Sequence, residues 1–198
     1  MSDYIVKPLD ASTWPDFAAL VERHNGVWGG CWCMAFHSEG FGRERSAAQN
    51  RTNKELRVSN GTAHAALVYA DGACVGWCQF GSSDELPRIR NRRAYAAGLA
   101  DLPDWRITCL FVDKAHRGRG VAAAALRGAL REIARLGGGR VEGYPEDTAG
   151  RSVSASFLYG GGLPMFESEG FERVRRIGKH IWVVMKTVRA QRASTAKT

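Results

Sequence analysis

Along this chain the spacing of apolar positions changes repeatedly, and each change marks an element. Residues 3–9 (DYIVKPL) alternate well enough for a first strand. Thr13 or Ser12 is placed to cap a helix that starts at Trp14-Pro15, where proline is tolerated, and runs to about Arg23. Residues 26–42 follow without a period and are dense in glycine, aromatics and cysteine. Residues 46–59 have helical composition and stop before Asn60-Gly61. The apolar runs 63–69 and 73–80 are joined by Ala70-Asp71-Gly72, a hairpin signature. Residues 81–104 show no clear period beyond a short helix around 93–99.

Residues 107–112 are continuously apolar, the mark of a central strand buried on both faces. Ala122, Leu126, Ala129, Leu130 and Ile133 then recur at helical spacing, with Arg127, Arg131 and Arg135 on the solvated face. Glycines 137–139 end that helix, and 140–144 reads as the next strand. A short helix at 164–168 precedes two last strands near 172–177 and 180–188. This order predicts an α/β fold: one mixed sheet with helices on both faces. Residues 1–188 are expected to form one domain, and 189–198 a basic, disordered tail.

With 44% apolar and 24% charged positions in 198 residues, the composition is that of a globular domain and excludes bulk disorder. No run approaches the ~20 apolar residues of a membrane span. Residues 1–10 lack the basic-then-apolar pattern of a secretory signal. Five cysteines without an even-numbered framework read as reduced thiols, so a cytoplasmic protein is expected. The net charge of +8 fits either a solvated basic surface or an anionic partner, a phosphorylated cofactor or nucleic acid.

The chemistry concentrates in residues 107–123 (ITCLFVDKAHRGRGVAA), a strand, a basic glycine-punctuated loop and an alanine-rich helix. Gly118 and Gly120 let backbone N–H groups approach an anion, and the helix starting near Gly120 points its positive dipole end at the same place. Arg117 and Arg119 add full charges. A Walker loop is excluded, because no Gly-Lys-Ser/Thr follows the glycines. Gly118, Gly120 and Ala123 satisfy a dinucleotide fingerprint, with Glu142 lying 22 residues beyond Gly120. Against it, residues 113–117 separate the strand from the first glycine, and two arginines crowd a site that needs bare backbone.

Arg117-Gly118-Arg119-Gly120-Val121-Ala122 resembles the coenzyme A signature R/Q-x-x-G-x-G/A of the GNAT acyltransferase superfamily. The hairpin at Asp71-Gly72, with Gly76 after it, is similar to the family's second and third strands. Residues 165–171 (MFESEGF) resemble its L-Y-E-K-x-G-F helix-to-strand element, so the likeness spans residues 3–188. It implies a splayed central sheet and an acyl-CoA lying against Cys109, Leu110, Phe111 and Val112, paired like an added strand. The pyrophosphate would be held by the backbone of Arg117, Gly118, Arg119, Gly120, Val121 and Ala122. The implied reaction is N-acetyl transfer from acetyl-CoA to a primary amine, by direct attack through a tetrahedral intermediate. That needs a neutral amine, an oxyanion donor and an acid for the departing thiolate.

The oxyanion donor is expected to be a backbone N–H near Leu110 or Phe111. The family's usual tyrosine position holds Phe166, which has no proton to give, so Tyr159, Tyr144 or a water takes the acid's place. Asp104 and Glu142 are the candidate bases, directly or through water. Trp28, Trp32, Phe36 and His37, between the first two helices, are expected to shape the site of a small-molecule or peptide amine. No membrane partner is expected, and a homodimer is compatible with the sequence.

Cys31-x-Cys33 with His24 or His37 completes neither a zinc set nor a Cys-x-x-Cys pair, so no metal is expected. Cys74, Cys78 and Cys109 read as small core residues. Arg88, Arg90, Arg92 and Arg93 form either a solvated face or a collector for an acidic acceptor or the cofactor's 3′-phosphate. Two other functions compete. Phe166 favours a non-catalytic acyl-CoA sensor. A nucleic-acid-binding module would suit the charge but lacks aromatic-basic interleaving and a helix-turn-helix pattern.

Overall fold

In a computed structural model the chain is described over residues 4–40 and 46–191, so residues 41–42 of the aromatic segment and 192–198 of the basic tail lie outside the described residues. The elements run β1 (Ile5–Pro8), α1 (Trp14–Arg23), α2 (Ala47–Ser59), β2 (His64–Ala70), β3 (Ala73–Ser82), α3 (Arg92–Ala97), β4 (Trp105–Val112), α4 (Val121–Arg135), β5 (Gly139–Gly143), α5 (Leu163–Ser168), β6 (Glu172–Arg176) and β7 (Trp182–Val188). Two 3-10 turns, Lys114–His116 and Ala155–Gly160, carry no period that the sequence could reveal. No described helix is long and apolar enough to cross a membrane.

The strands form one sheet in the order β1-β2-β3-β4-β5-β7-β6. Every neighbouring pair is antiparallel except β4 and β5, whose parallel pairing requires the α4 crossover. The β2–β3 hairpin closes at Asp71 and Gly72, with φ of 49° and 79°, the primed turn whose twist matches the strands.

Two large cores cover the faces of the sheet, and a smaller third gathers Ile89, Tyr95, Tyr144, Ile177 and Val183. On one face α1 brings Trp14 and Phe17 onto Trp32, Trp77 and Leu67. On the other, α4 lays Val121, Ala125, Leu126, Ala129 and Ile133 against Val68, Val75 and Ile107. The small residues of α4 allow close approach: a Cβ at Gly128 would stand 2.5 Å from Val6 Cγ1. Leu126 is fully buried there, and truncating it to alanine costs about 2–5 kcal/mol.

Two helix starts differ in detail. Ser46 caps α2 by accepting from the Gln49 N–H at 3.1 Å. At α1, Thr13 makes no side-chain cap bond. Asp10 instead closes the turn that leads into the helix, accepting from the Ser12 and Thr13 N–H groups at 2.8 and 3.1 Å, while the Thr13 hydroxyl donates back to Pro8 O. The buried face of α2 is Asn50, Lys54 and Val58, two of the three polar.

Candidate active site: a splayed strand between two cavities

Strand β4 pairs with β5 only over Trp105–Ile107. Beyond Ile107 the two part, and residues 108–112 keep a free edge on that side. A β-bulge accompanies the parting: Gln79 pairs with Cys109 and Phe80 with Ile107, leaving Thr108 as the extra residue. Bulges re-aim side chains beside functional sites. Here Gln79 donates to the Thr108 hydroxyl at 3.1 Å and Cys109 meets Cys33, so two consecutive β4 side chains serve the α1 face. The Asp113 N–H donates to Val75 O. By the two-residue alternation of an antiparallel ladder, Phe111 then faces β3, while the N–H groups of Leu110 and Val112 face the gap. That narrows the expected oxyanion donor to Leu110.

The basic loop lies at the end of the gap. Asp113 closes the first 3-10 turn by accepting from the Ala115 N–H at 3.0 Å, and pairs with Arg23 and His24. The Tyr4 hydroxyl donates to Arg119 O at 2.9 Å and ties the loop to β1. Gly118 and Gly120 have φ of 71° and 81°, which side-chain-bearing residues rarely adopt, and a Cβ on either would meet open space. Gly120 supplies no side-chain cap to α4, so the first-turn N–H groups are left for an anion. A cavity of about 640 Å³ runs from Leu110–Val112 past Lys114, Arg117, Gly118 and Gly120 to Gly161 and Met165. A gap-facing strand edge, uncapped helix N–H groups and fixed cations fit a ligand with a phosphate end and an amide-bearing arm.

A second cavity, of about 630 Å³, opens on the other side of Trp28, which borders both. Its walls include Phe36, Ile89, Phe157 and Tyr159, its floor Cys33 and Cys109, and its rim Arg88, Arg90 and Arg92. The wall segment is held in strained backbone: Asn25, Val27, Trp28, Trp32 and Cys33 all have φ between 38° and 55°. Tyr159 stands edge-on to Trp28, with centroids 6.2 Å apart, and accepts a 2.5 Å hydrogen bond from Arg90 Nη1.

Beneath the floor lies a buried polar chain. Lys54 Nζ donates to Gln79 Oε1 at 2.6 Å and to His37 Nε2 at 3.2 Å, while His37 Nδ1–H donates to Glu85 O at 3.1 Å. Burial and the Lys54 and Arg57 charges hold His37 down to about 2, so it is neutral. Burial likewise lowers Lys54.

Several expected residues fall elsewhere. Glu142 and Tyr144 line neither cavity: Glu142 Oε2 accepts from Tyr95 and Tyr144 at 2.8 and 2.9 Å, and Arg106 donates to the same Tyr95 hydroxyl at 3.1 Å. Burial and the Glu142 charge keep the Tyr144 hydroxyl protonated. Asp104 sits at the opposite end of β4 from the loop, accepting from the Arg140 N–H at 2.7 Å. Trp32 packs beneath α1, and His37 lies under the floor. Cys109 belongs to the second cavity rather than to the loop cavity, and Arg119 lines neither. Trp28 and Phe36 do line the second cavity, and the rest of the predicted loop residues line the first. Phe166 is fully buried against Phe171, and a Cβ at Gly143 would come within 2.4 Å of its ring. Lys54 and Gln79 were missed. The available signal was α2's shortage of apolar residues, which forces polar groups inward at every fourth position. No group of three or more His, Cys, Asp or Glu side chains among the described residues is arranged to hold a metal ion.

Residues 23–149 match the sequence pattern of the acetyltransferase (GNAT) family. No curated protein matches the chain in sequence. Among solved structures, a mosquito arylalkylamine N-acetyltransferase like 5b is similar at a TM-score of 0.55 and 13% identity, over 93% of this chain and 100% of that one. A protein titled histone acetyltransferase HPA2 and related acetyltransferase, from Corynebacterium glutamicum, is similar at 0.53 and 15%, over 96% and 99%. The yncA protein of Salmonella typhimurium, solved with its cofactor acetyl-CoA, is similar at 0.51 and 15%, over 98% of each chain. At these identities the likeness is one of fold.

Proposed function

The chain belongs to the GNAT family of acetyltransferases, and on that premise we propose that it transfers an acetyl group from acetyl-CoA to a primary amine held in the second cavity. The observation carrying this reading is the meeting of the two cavities at Trp28, beside the free edge of β4. The loop N–H groups, Arg117 and Lys114 hold the phosphates, and the gap-facing backbone of Leu110 and Val112 holds the pantetheine arm. Acetyl-CoA supplies the thioester carbonyl that the amine attacks directly.

The Leu110 N–H donates to the carbonyl oxygen as it gains charge, a donor preorganised by the strand that carries it. Arg88, Arg90 and Arg92 disfavour a further cation at the rim, so the acceptor is held as the neutral amine that attack requires. As the C–S bond breaks, Tyr159 gives its proton to the departing sulfur, and the proton shed by the nitrogen on forming the amide passes through solvent to restore the tyrosine hydroxyl.

Calorimetric titration with acetyl-CoA, followed by thiol release over an amine panel, tests this. Binding with turnover is expected, and failure to bind acetyl-CoA overturns it. Binding without turnover on any amine supports the second reading, an acyl-CoA sensor, which the burial of Phe166 at the family's tyrosine position favours.

A further inference from the structure

We propose that the acceptor is an α-amino acid with a large apolar side chain, its carboxylate held by Arg90 and its side chain by the aromatic wall of the second cavity. This rests on the acetyl-transfer reading and specifies what that site takes. The cavity combines two features that seldom coincide. Its walls are apolar and ring-rich, with Trp28, Phe36, Phe157 and Tyr159 around Ile89. Its charged lining is all of one sign: Arg88, Arg90 and Arg92, with no carboxylate among the described lining residues. A polyamine, an aminoglycoside or a lysine-rich peptide brings several ammonium groups, and such acceptors need acidic walls. Here they would meet only like charge.

The arginines are also unspent. None of the three makes an ion pair with a carboxylate among the described residues, although twelve other pairs occur there. Arg90 uses one N–H on the Tyr159 hydroxyl and lies 5.6 Å above that ring, which fixes its plane. Four N–H donors remain in the fork that matches a carboxylate bidentately. Tyr159 therefore spans from the Trp28 wall at the β4 gap to the anion-binding fork. A volume of about 630 Å³ suits a small molecule rather than a protein segment.

The test pairs ligands that differ only in the carboxylate. N-acetyl-L-phenylalanine and N-acetylphenethylamine are titrated by calorimetry into the wild-type protein and Arg90→Met. Thiol release from acetyl-CoA is followed with L-phenylalanine, phenethylamine and spermidine. The carboxylate ligand is expected to bind at least tenfold more tightly, and Arg90→Met to remove most of that preference. L-phenylalanine should exceed phenethylamine in kcat/KM by a similar factor, with spermidine poorest. Equal binding of the two N-acetyl ligands, a preference that survives Arg90→Met, or spermidine as the better acceptor overturns the proposal. The two readings fail separately. Transfer to phenethylamine and L-phenylalanine at equal rates keeps the transferase and removes the carboxylate site. Arg90-dependent binding without turnover keeps the carboxylate site and removes the catalysis.

Discussion

The sulfurs of Cys33 and Cys109 are hydrogen-bonded at 2.8 Å, and the Trp77 indole N–H donates to Cys33 at 3.1 Å. Burial pushes the Cys33 thiol up, but the Cys109 hydrogen bond, the Lys54 charge and the Trp77 N–H outweigh it and hold Cys33 below its ordinary value. Cys109, which keeps the shared proton, is pushed well above. Burial raises Cys31 to about 11 and Cys74 to about 12. Alkylation follows the thiolate, so iodoacetamide at pH 8 is expected to label Cys33 before Cys31, although Cys31 is the more exposed of the two. Peptide mass mapping over time gives the order, and labelling of Cys31 first would overturn the assignment of the lowered thiol to Cys33.

His37 sets an acid limit on stability. It is held at about 2 in the fold against about 6.5 in the unfolded chain, so below 6.5 the unfolded state takes up a proton that the native state refuses. Stability is therefore fully present above 6.5 and falls with pH down towards 2. The slope is ~1.4 kcal/mol per pH unit, or about 2 kcal/mol between pH 6.5 and 5. Urea midpoints across that range should fall less steeply in His37→Gln than in the wild type. Equal slopes would mean that His37 is protonated in the native state.

The order of strands and helices was legible in the sequence because each is carried by a local period, a cap or a turn pair. The strand run 107–112, the α4 pattern and Asp71-Gly72 all appear as read. The loop was legible because backbone geometry at Gly118 and Gly120 depends on glycine itself. The second cavity was only partly so. Trp28 and Phe36 reach it, while Trp32, from the same aromatic-rich segment, turns beneath α1; that choice depends on positive-φ backbone with no local signature. Glu142 reads as a candidate base because the end of its strand is expected to flank the acceptor site. Its partner Tyr95, 47 positions away, is invisible without the fold.

Glu142→Gln now carries a different expectation from that of a lost base. Its Oε2 is the shared acceptor of two buried tyrosine hydroxyls, one of them also bonded by Arg106. Weakening that acceptor should cost about 1–3 kcal/mol of stability and leave the pH dependence of kcat/KM where it was. Chemical denaturation and a pH–rate profile separate the two effects. A shifted profile with intact stability would return Glu142 to the chemistry.

Gly120→Ala tests the loop. At φ of 81° the alanine costs about 1–2 kcal/mol, and its Cβ stands at the start of α4, where we propose that the first-turn N–H groups meet phosphate. Gly61→Ala, at φ of 67° and likewise in open space, carries a similar strain far from the loop. Both variants should melt earlier, but only Gly120→Ala should raise the acetyl-CoA dissociation constant, by tenfold or more. If the two bind acetyl-CoA equally, the loop is not the phosphate site.

Tyr159→Phe isolates proton transfer. Phe166 has no hydroxyl and lies fully buried, so the acid must come from another element or from solvent. Tyr159 lines the second cavity, and its ring is fixed between Trp28, Phe36 and Arg90. The phenylalanine variant keeps those ring contacts and loses only the hydroxyl, so acetyl-CoA affinity should hold. General acid catalysis contributes 10²–10⁴-fold, so kcat should fall by about a hundredfold or more. The Arg90 bond to the same hydroxyl is lost as well, which raises KM for a carboxylate-bearing acceptor and leaves kcat to report the proton transfer. A kcat within about threefold of wild type would assign the proton to water.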